Sequence, residues 1–196
     1  MHFDRRIKGA ITESLVKTLL EDSDYRVIPL GIEEVVREVI SLDEDEYRSL
    51  ELPSQLRTLP DFLITNKSLD ESWLVEVKYR KKWDTTTAER LGKSIEKQAK
   101  TWKNYLLIIF LSEPYIWGDS SKTSTSNQCG LIHIIHEKKT LKYVSYDGTK
   151  YSWSKIKWDY MLKINEVFKN LNSTNDGKTI NKVCQLISQY PEILDD

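Results

Sequence analysis

The spacing of hydrophobic residues predicts alternating helices and strands over the first 111 positions. Apolar residues at 7, 11, 15 and 19 repeat at helical spacing, which predicts an amphipathic helix over residues 4–22. Residues 85–104 form a second helical segment with a basic face, and the continuous apolar run 105–111 is typical of a buried strand. Shorter segments rich in β-branched and aromatic residues predict strands at 25–30, 60–65 and 72–79.

The other segments have weaker patterns. A short helix is predicted at 32–41, followed by an acidic, irregular stretch to residue 58. Residues 118–130 are rich in Ser, Thr and Asn and predict a loop. The C-terminal part is predicted to contain strands at 131–135 and 141–146, helices at about 153–170 and 178–190, and a loop at 172–177.

The lengths of the connections predict how the strands are arranged. The short link between 60–65 and 72–79 predicts an antiparallel hairpin, and the helix that follows allows the next strand to return in parallel. The predicted fold class is therefore α/β, with a mixed β-sheet flanked by helices. We assign residues 1–115 to the core of the fold, with an acidic insert at 31–58. Residues 116–196 are expected to add C-terminal strands and helices to the same domain.

Composition places the chain among globular proteins. Of its 196 residues, 39% are hydrophobic and 30% are charged, and its two cysteines are too few for a disulfide framework or a structural zinc site. No apolar run approaches the roughly 20 residues that a membrane span needs, and the first residues lack the apolar core of a signal peptide. We therefore expect a cytoplasmic protein with no membrane partner.

The net charge of −1 conceals two segments of opposite sign. Residues 31–52 carry eight acidic and two basic side chains, whereas residues 78–103 carry nine basic and three acidic ones. The basic segment could attract a polyanionic partner, although runs of charge are usually solvated helix faces.

Charged residues on the second strand of the predicted hairpin are the first candidates for chemistry. Glu76 and Lys78 are two residues apart, so they point to the same face, while Val75 and Val77 occupy the other. A face that carries both charges requires water, a partner charge or a metal ion. Asp61 begins the neighbouring strand, about 4.8 Å away, so its carboxylate and that of Glu76 could converge on one divalent cation. Hard oxygen ligands of this kind favour Mg²⁺ or Mn²⁺.

Lys78 and Glu13 would complete such a site. The ammonium of Lys78 would lie beside the metal, where it could position the attacking water or stabilise charge on a phosphate. Glu13 lies at the margin of the apolar face of the first helix, from which a carboxylate could reach over the edge of the sheet. Together these groups predict hydrolysis of a phosphodiester bond by metal-bound water.

The order of these residues resembles the PD-(D/E)xK nuclease superfamily. The dipeptide Pro60-Asp61 stands fifteen residues before Glu76-Val77-Lys78, in a pattern that looks like the superfamily signature. The resemblance covers about residues 5–111.

Two helical elements extend the resemblance. The spacing of Gly9 and Glu13 is similar to the Gly-x-x-x-Glu pattern in the first helix of restriction-endonuclease-like and archaeal Holliday-junction-resolvase-like members. The spacing of Gln98 and Trp102 is similar to the Gln-x-x-x-Tyr element of the exonuclease branch, with tryptophan in place of tyrosine.

The resemblance implies a role for each of these residues. The metal ligands would be Glu13, Asp61, Glu76 and the carbonyl of Val77. Lys78 would be the catalytic lysine, and Gln98 would orient Lys78 or contact DNA. The implied protein is a Mg²⁺- or Mn²⁺-dependent DNA endonuclease with a restriction-endonuclease-like core. Because cleavage of two strands by one-site enzymes usually calls for a symmetric pair, a homodimer is expected.

Basic residues around this site form a candidate path for the phosphate backbone of DNA. They are Lys8, Arg80, Lys81, Lys82, Lys93, Lys97 and Lys100. Trp83 and Trp102 could stack on bases or pack in the core. The basic and aromatic run 150–158 could extend the path, or its residues Trp153 and Trp158 could belong to the core.

Other functions are also compatible with these residues. The chain could be a catalytically inactive nuclease fold that binds DNA or a protein, or a toxin-like enzyme that cleaves RNA. Glu76 and Lys78 could also form a purely structural ion pair. The sequence does not distinguish recognition of a DNA sequence, of a junction or of a free end.

Overall fold

The computed structural model of the protein describes residues 3–36, 39, 41–116, 127–171 and 178–194. Within these residues, seven strands form one mixed sheet, and each strand lies beside the next one in the chain. The strands are β1 (Arg26–Pro29), β2 (Phe62–Thr65), β3 (Ser72–Arg80), β4 (Asn104–Leu111), β5 (Cys129–Glu137), β6 (Thr140–Val144) and β7 (Lys150–Ser152). Neighbouring strands are antiparallel except β3 and β4, which are parallel.

Helices connect and cover these strands. They are α1 (Phe3–Glu21), α2 (Ile32–Val35), α3 (Glu44–Ser49), α4 (Thr85–Trp102), α5 (Ile164–Val167) and α6 (Lys178–Leu194). α4 links the two parallel strands. It begins after Asp84, whose carboxylate accepts a hydrogen bond of 2.7 Å from the N–H of Thr87. It ends at Trp102, and the next residue, Lys103, has a φ of 57° that takes the chain out of the helix.

Each face of the sheet has its own hydrophobic core. On one face, α1 and α6 pack against the side of β3 that carries Val75 and Val77. On the other face, Leu91 and Ile95 of α4 pack against the opposite side of β4. Because apolar residues are needed on both of its sides, β4 is a nearly continuous apolar run, as predicted for a central strand.

The predicted hairpin and parallel crossover are confirmed. β2 and β3 pair in antiparallel fashion with Phe62 opposite Val75, and β3 and β4 pair in parallel with Glu76 opposite Leu107. The fold is therefore α/β, with a mixed sheet between helices.

The prediction for residues 32–58 is wrong in two respects. The helix predicted at 32–41 ends at Val35, and the stretch predicted to be irregular contains α3. α3 begins with a capping box: the carboxylate of Asp43 accepts from the N–H of Glu46 at 2.8 Å, and the carboxylate of Glu46 accepts from the N–H of Asp43 at 2.9 Å. These reciprocal bonds satisfy backbone donors at the start of the helix and stabilise it despite its charge.

The helix predicted at 153–170 is also wrong. The segment contains short 3₁₀ turns at Trp153–Lys155 and Trp158–Tyr160 before α5, and it follows β7, which the sequence patterns do not predict. Trp153 and Trp158 are 8% and 4% exposed, and the indole N–H of Trp153 donates to the carbonyl of Ala88 at 2.9 Å. Packing of these rings into the core therefore determines the segment, which answers the core-or-surface question for both tryptophans.

Two predicted loops fall partly or wholly outside the described residues. Of the loop predicted at 118–130, the structure describes only residues 127–130, and β5 begins within them. The loop predicted at 172–177 lies wholly outside. In the described ranges, no helix is long and apolar enough to cross a bilayer.

Candidate active site

The start of β2 leaves one edge of β3 open. β2 begins at Phe62, opposite Val75, so the residues of β3 beyond Val75 have a strand partner only on the β4 side. Asp61 lies just before β2, and its Oδ2 accepts a hydrogen bond of 2.7 Å from the N–H of Val77. The N–H and C=O of one strand residue point to the same side, so the carbonyl of Val77 faces the same open edge.

Glu76 and Lys78 point to the face of the sheet that α4 covers. Their same-face prediction is confirmed, because Oε1 of Glu76 and Nζ of Lys78 form an ion pair. Glu76 is only 7% exposed, and the side chain of Lys78 is 28% exposed. The second carboxylate oxygen of Glu76 accepts a hydrogen bond of 2.7 Å from Nε2 of Gln98 on α4. Both oxygens of this buried carboxylate therefore have partners, as burial requires.

The C-terminal part of α4 also holds the backbone that leads into β2. Nε2 of Gln98 lies 3.4 Å from the carbonyl oxygen of Leu59. The indole N–H of Trp102, one turn later, donates to the carbonyl of Thr58 at 2.5 Å. The Gln-x-x-x-Trp spacing thus fixes the segment immediately before Asp61.

These contacts decide between the alternatives for the two residues. Gln98 is buried and contacts Glu76, not Lys78. Trp102 is partly buried, packs against the core on the α4 side of the sheet and commits its indole N–H to the carbonyl of Thr58, so its contacts are structural.

Replacing Gln98 with alanine should destabilise the protein. The substitution removes the donor to a buried carboxylate oxygen, and leaving such a group unsatisfied costs about 1–3 kcal/mol. We expect the free energy of unfolding, measured by urea denaturation, to fall by about that amount. Lys97→Ala, at the exposed neighbouring position, is the matched control and should change it by less than about 0.5 kcal/mol. Equal stability of the two variants would contradict this role for Gln98.

Burial and mutual repulsion raise the pKa values of two carboxyl groups at the site. Burial is the main reason that the pKa of Asp61 lies well above its usual value, and Glu76 adds to the increase while Lys78 opposes it. The pKa of Glu13, on α1, is raised to about 7, again mainly by burial. Lys78 opposes this increase, and Glu76 and Glu33 add to it. These shifts indicate that the carboxyl groups share one poorly solvated region.

The pKa of Lys78 is set by its acidic neighbours. Burial favours the neutral amine and would lower this pKa, but the carboxylates of Glu76 and Asp61 raise it above its usual value. Lys78 therefore keeps its proton at neutral pH and acts as a hydrogen-bond donor, not as a base. One ammonium faces the carboxyl groups of Glu13, Asp61 and Glu76, so the site carries excess negative charge when all three are ionised.

The oxygen atoms at the open edge fit a hard divalent cation in their donor chemistry. The carboxylates of Asp61 and Glu76 and the carbonyl of Val77 are the kind of ligand that Mg²⁺ and Mn²⁺ prefer. When all three carboxyl groups are ionised, their excess negative charge also calls for a positive partner. Across the described residues, no group of three or more Asp, Glu, His or Cys side chains is arranged to hold a metal ion. A site here would rely on two carboxylates, a carbonyl and water, as Mg²⁺ sites commonly do.

Two neighbours of the site escape the sequence patterns. Tyr105 is buried on β4, on the same face as Glu76, and its hydroxyl has no hydrogen-bond partner among the described residues. Burial, and then the charge of Glu76, raise the pKa of this phenol. Glu33, on α2, lies close enough to raise the pKa of Glu13. Because Tyr105 lies in an apolar run, the sequence indicates only a core residue. The register of β3 and β4 shows that it lies close to Glu76.

Three of the predicted DNA-binding residues lie on the outer surface of α4. Lys93, Lys97 and Lys100 are exposed, and Lys100 pairs with Glu96 at 2.8 Å. These three lysines do not converge on the site. α4 contacts the site through Gln98, which is on its buried side.

The remaining basic residues lie nearer the open edge. Arg80, Lys81 and Lys82 follow Lys78 along and beyond β3. Lys81 and Lys82 have side chains 65% and 62% exposed, and each pairs with an acidic neighbour, at 3.7 and 3.3 Å. Such exposed pairs are weak, so phosphate groups can compete for these lysines. Lys8 lies on α1, with its ammonium 5.9 Å from the ring of a tyrosine on β3.

The site joins an open strand edge, two carboxylates and one protonated amine. Such a group can bind a hard cation together with a phosphate and can activate water for hydrolysis. No family model, curated protein or solved structure matches the chain.

Proposed function

We propose that the protein is a Mg²⁺- or Mn²⁺-dependent DNA endonuclease of the PD-(D/E)xK type, with a restriction-endonuclease-like core at residues 1–115. The proposal is supported by Asp61, Glu76 and Lys78 lying together at one open strand edge, on a hairpin followed by a parallel crossover. DNA is the proposed partner, and a homodimer is the proposed assembly.

Three residues would bind the metal ion, and a fourth would support them. The carboxylates of Asp61 and Glu76 and the carbonyl of Val77 would bind it, and Glu13 would support them from α1. The bound ion would lower the pKa of water and neutralise charge on the scissile phosphate.

Lys78 and Gln98 have separate roles in this proposal. Lys78 donates hydrogen bonds from a protonated amine, so it can hold a phosphate oxygen and stabilise the negative charge that develops there. Its ammonium contacts Glu76 in the described state, and a phosphate oxygen would compete for that contact. Gln98 keeps the carboxylate of Glu76 in position through its 2.7 Å hydrogen bond.

Incubation with plasmid and branched DNA tests the proposed activity directly. We expect cleavage that starts when Mg²⁺ or Mn²⁺ is added and stops when EDTA removes the metal. Matched RNA substrates under the same conditions separate a DNA enzyme from an RNA-cleaving one. Intact substrates with both metals, across a range of protein concentrations, would contradict the proposed activity.

A second candidate is a nuclease-fold module that binds DNA or a protein without cleaving. The ion pair between Glu76 and Lys78 favours it, because the pair occupies a carboxylate oxygen that a metal ion would need. Calorimetric titration separates the two candidates. Tight DNA binding with no binding of Mg²⁺ or Mn²⁺ would favour the module.

A further inference from the structure

A cavity of about 500 Å³ lies at the start of α4, beyond the end of β3. Its walls include four aromatic side chains, those of Trp83, Tyr115, Trp153 and Trp158. The rings of Trp83 and Trp158 have centroids 5.6 Å apart at an angle of 58°, and those of Tyr115 and Trp158 are 5.9 Å apart at 27°. Small-molecule sites have volumes of about 300–1,000 Å³ and similar aromatic walls.

The four rings form a floor and a rim. Trp153 and Trp158 are almost fully buried, and the indole N–H of Trp153 is committed to the carbonyl of Ala88. Trp83 and Tyr115 are only partly buried and border the opening. A flat ligand that enters the cavity would meet aromatic surface on both, so stacking is the main attraction that this lining offers.

Charged side chains of both signs also line the cavity. Glu89 and Asp84 contribute carboxylates, and Lys157 contributes an ammonium. The carboxylate of Asp84 already accepts a hydrogen bond from the N–H of Thr87 at the start of α4, and it forms an ion pair with Lys82 at 3.3 Å. The lining can therefore accept and donate hydrogen bonds without favouring a net charge. This combination suits a neutral planar ring that carries amino and carbonyl groups.

A methylated ammonium ion is the other ligand that aromatic walls commonly bind. Glu89 and Asp84 in the lining would attract such a cation. Lys157 in the lining and Lys82 beside it would repel it, so the charges of the lining do not select a cation. The same two lysines suit the phosphates that flank a base in a nucleic acid strand. The aromatic rings, together with the basic residues 80–82 that precede Trp83, therefore favour a nucleobase.

The cavity is close along the chain to the proposed catalytic lysine. Trp83 is five residues after Lys78, so the chain between them spans no more than about 17 Å. That distance corresponds to about five nucleotides along one strand of B-form DNA, which rises about 3.4 Å per nucleotide. The basic residues Arg80, Lys81 and Lys82 lie between the two positions, where a phosphate backbone would run.

We propose that this cavity takes up one unpaired nucleobase of the DNA strand, a few nucleotides from the bond that is cut. The proposal rests on the proposed nuclease function, because the substrate strand supplies the base. A base inside a duplex is stacked and paired, so the cavity selects single-stranded, mismatched or distorted sites. Removing an aromatic ring that stacks on a base typically weakens binding by about tenfold or more.

Binding of a short single strand to the full chain in EDTA tests the cavity without involving a metal. The probe is a fluorescein-labelled deoxyoligonucleotide of about twelve nucleotides, and its control has the same backbone with abasic central positions. We expect about tenfold tighter binding of the base-bearing strand, with quenching of tryptophan fluorescence. Equal affinity for the two strands would overturn the proposal, as would quenching by tetramethylammonium but not by DNA.

Variants of the rim residues test whether the preference for the base-bearing strand arises in this cavity. Trp83→Ala should lower the affinity for the base-bearing strand to that for the abasic one. Trp83→Phe preserves a stacking ring and the packing around it, so it should keep most of the preference. Trp73→Phe changes a tryptophan in the other core and is the matched control, with an unchanged preference. A full preference in Trp83→Ala would place base binding elsewhere and overturn the proposal.

The binding experiment and the cleavage experiment can fail separately. Asp61→Asn should keep the preference for the base-bearing strand, because Asp61 is not part of the cavity lining. A preference without cleavage of any substrate would support the cavity and reject the nuclease. Metal-dependent cleavage without a preference would reject the cavity and leave the nuclease function in place.

Discussion

Replacing Asp61 with asparagine, or Lys78 with alanine, is expected to lower the rate of DNA cleavage at least a hundredfold, to judge from the factor of about 10²–10³ that a lost transition-state contact costs. Asparagine can still accept the hydrogen bond from Val77 but lacks the charge that would hold a metal ion. Alanine removes the ammonium that opposes the raised pKa values of Glu13 and Asp61 and pairs with Glu76. Single-turnover cleavage of plasmid DNA at saturating Mg²⁺ measures both effects.

Two further variants separate catalysis from stability. Removing Lys78 leaves Glu76 buried without its counter-charge, which by itself destabilises a fold. Lys78→Arg retains the charge but not the compact ammonium, so it should restore stability while cleavage stays at least about tenfold low. Lys67→Ala removes an exposed ion pair with Asp24 at the far end of the hairpin and should cleave like the unmodified protein. Full activity in Asp61→Asn and Lys78→Ala would show that these residues are wrongly assigned.

Mg²⁺ is expected to stabilise the protein much more at pH 8 than at pH 5.5. The pKa of Glu13 is raised from 4.5 to about 7, and that of Asp61 is raised in the same direction. A raised pKa favours the protonated group in the folded state. The stability that such a group contributes is fully present below its pKa in the unfolded chain. This stability is lost as the pH rises through its pKa in the folded protein. For Glu13 this window runs from 4.5 to about 7, and the metal-free protein should lose about 1–3 kcal/mol across it.

Thermal unfolding with and without Mg²⁺ measures this pH dependence. The metal-free Tm should be several degrees lower at pH 8 than at pH 5.5, because 1 kcal/mol corresponds to about 2–4 °C for a chain of this size. Mg²⁺ should recover most of the loss at pH 8 by binding the folded state. Glu13→Gln should flatten the pH dependence, whereas Glu21→Gln, at the exposed end of the same helix, should not. If the Tm of the metal-free protein did not vary with pH, the carboxyl groups of the site would not carry the excess negative charge that we infer.

The framework of the site could be predicted from the sequence because it depends on local patterns. Alternation along β3 places Glu76 and Lys78 on one face, and the short connection between β2 and β3 brings Asp61 to the same hairpin. Strand periodicity and loop length are sufficient for both conclusions, since they involve residues close together in the chain.

The contacts from α4 could not be predicted in this way. Gln98 reaches Glu76 across 22 residues, and Trp102 reaches Thr58 across 44. Which side of α4 meets the sheet depends on how its apolar residues pack, and a basic helix gives no separate signal for one buried amide. The resemblance to a known motif singled out Gln98, but only the packing shows that its partner is Glu76.

The unpredicted helix α3 and the wrong helix prediction at 153–170 have different causes. The capping box of α3 is a local signal, with Asp43 three residues before Glu46, and the high acidic content of the segment obscured it. The turns after β7 have no such signal. A Cβ at Gly92 would lie 2.2 Å from Nε1 of Trp153, so the glycine on α4 makes the space that this indole fills. Only the tertiary structure brings those two residues together.

The strand order has a consequence for synthesis of the protein on the ribosome. Every residue of the proposed site precedes the end of β4, so a nascent chain that has emerged to Leu111 already contains all of them. At that stage β4 is an edge strand, and its apolar side chains and unpaired backbone groups would promote aggregation. β5, β6 and β7 then add to this edge one at a time. The exposed edge of β4 is therefore covered only after β5 has been made and has paired with it.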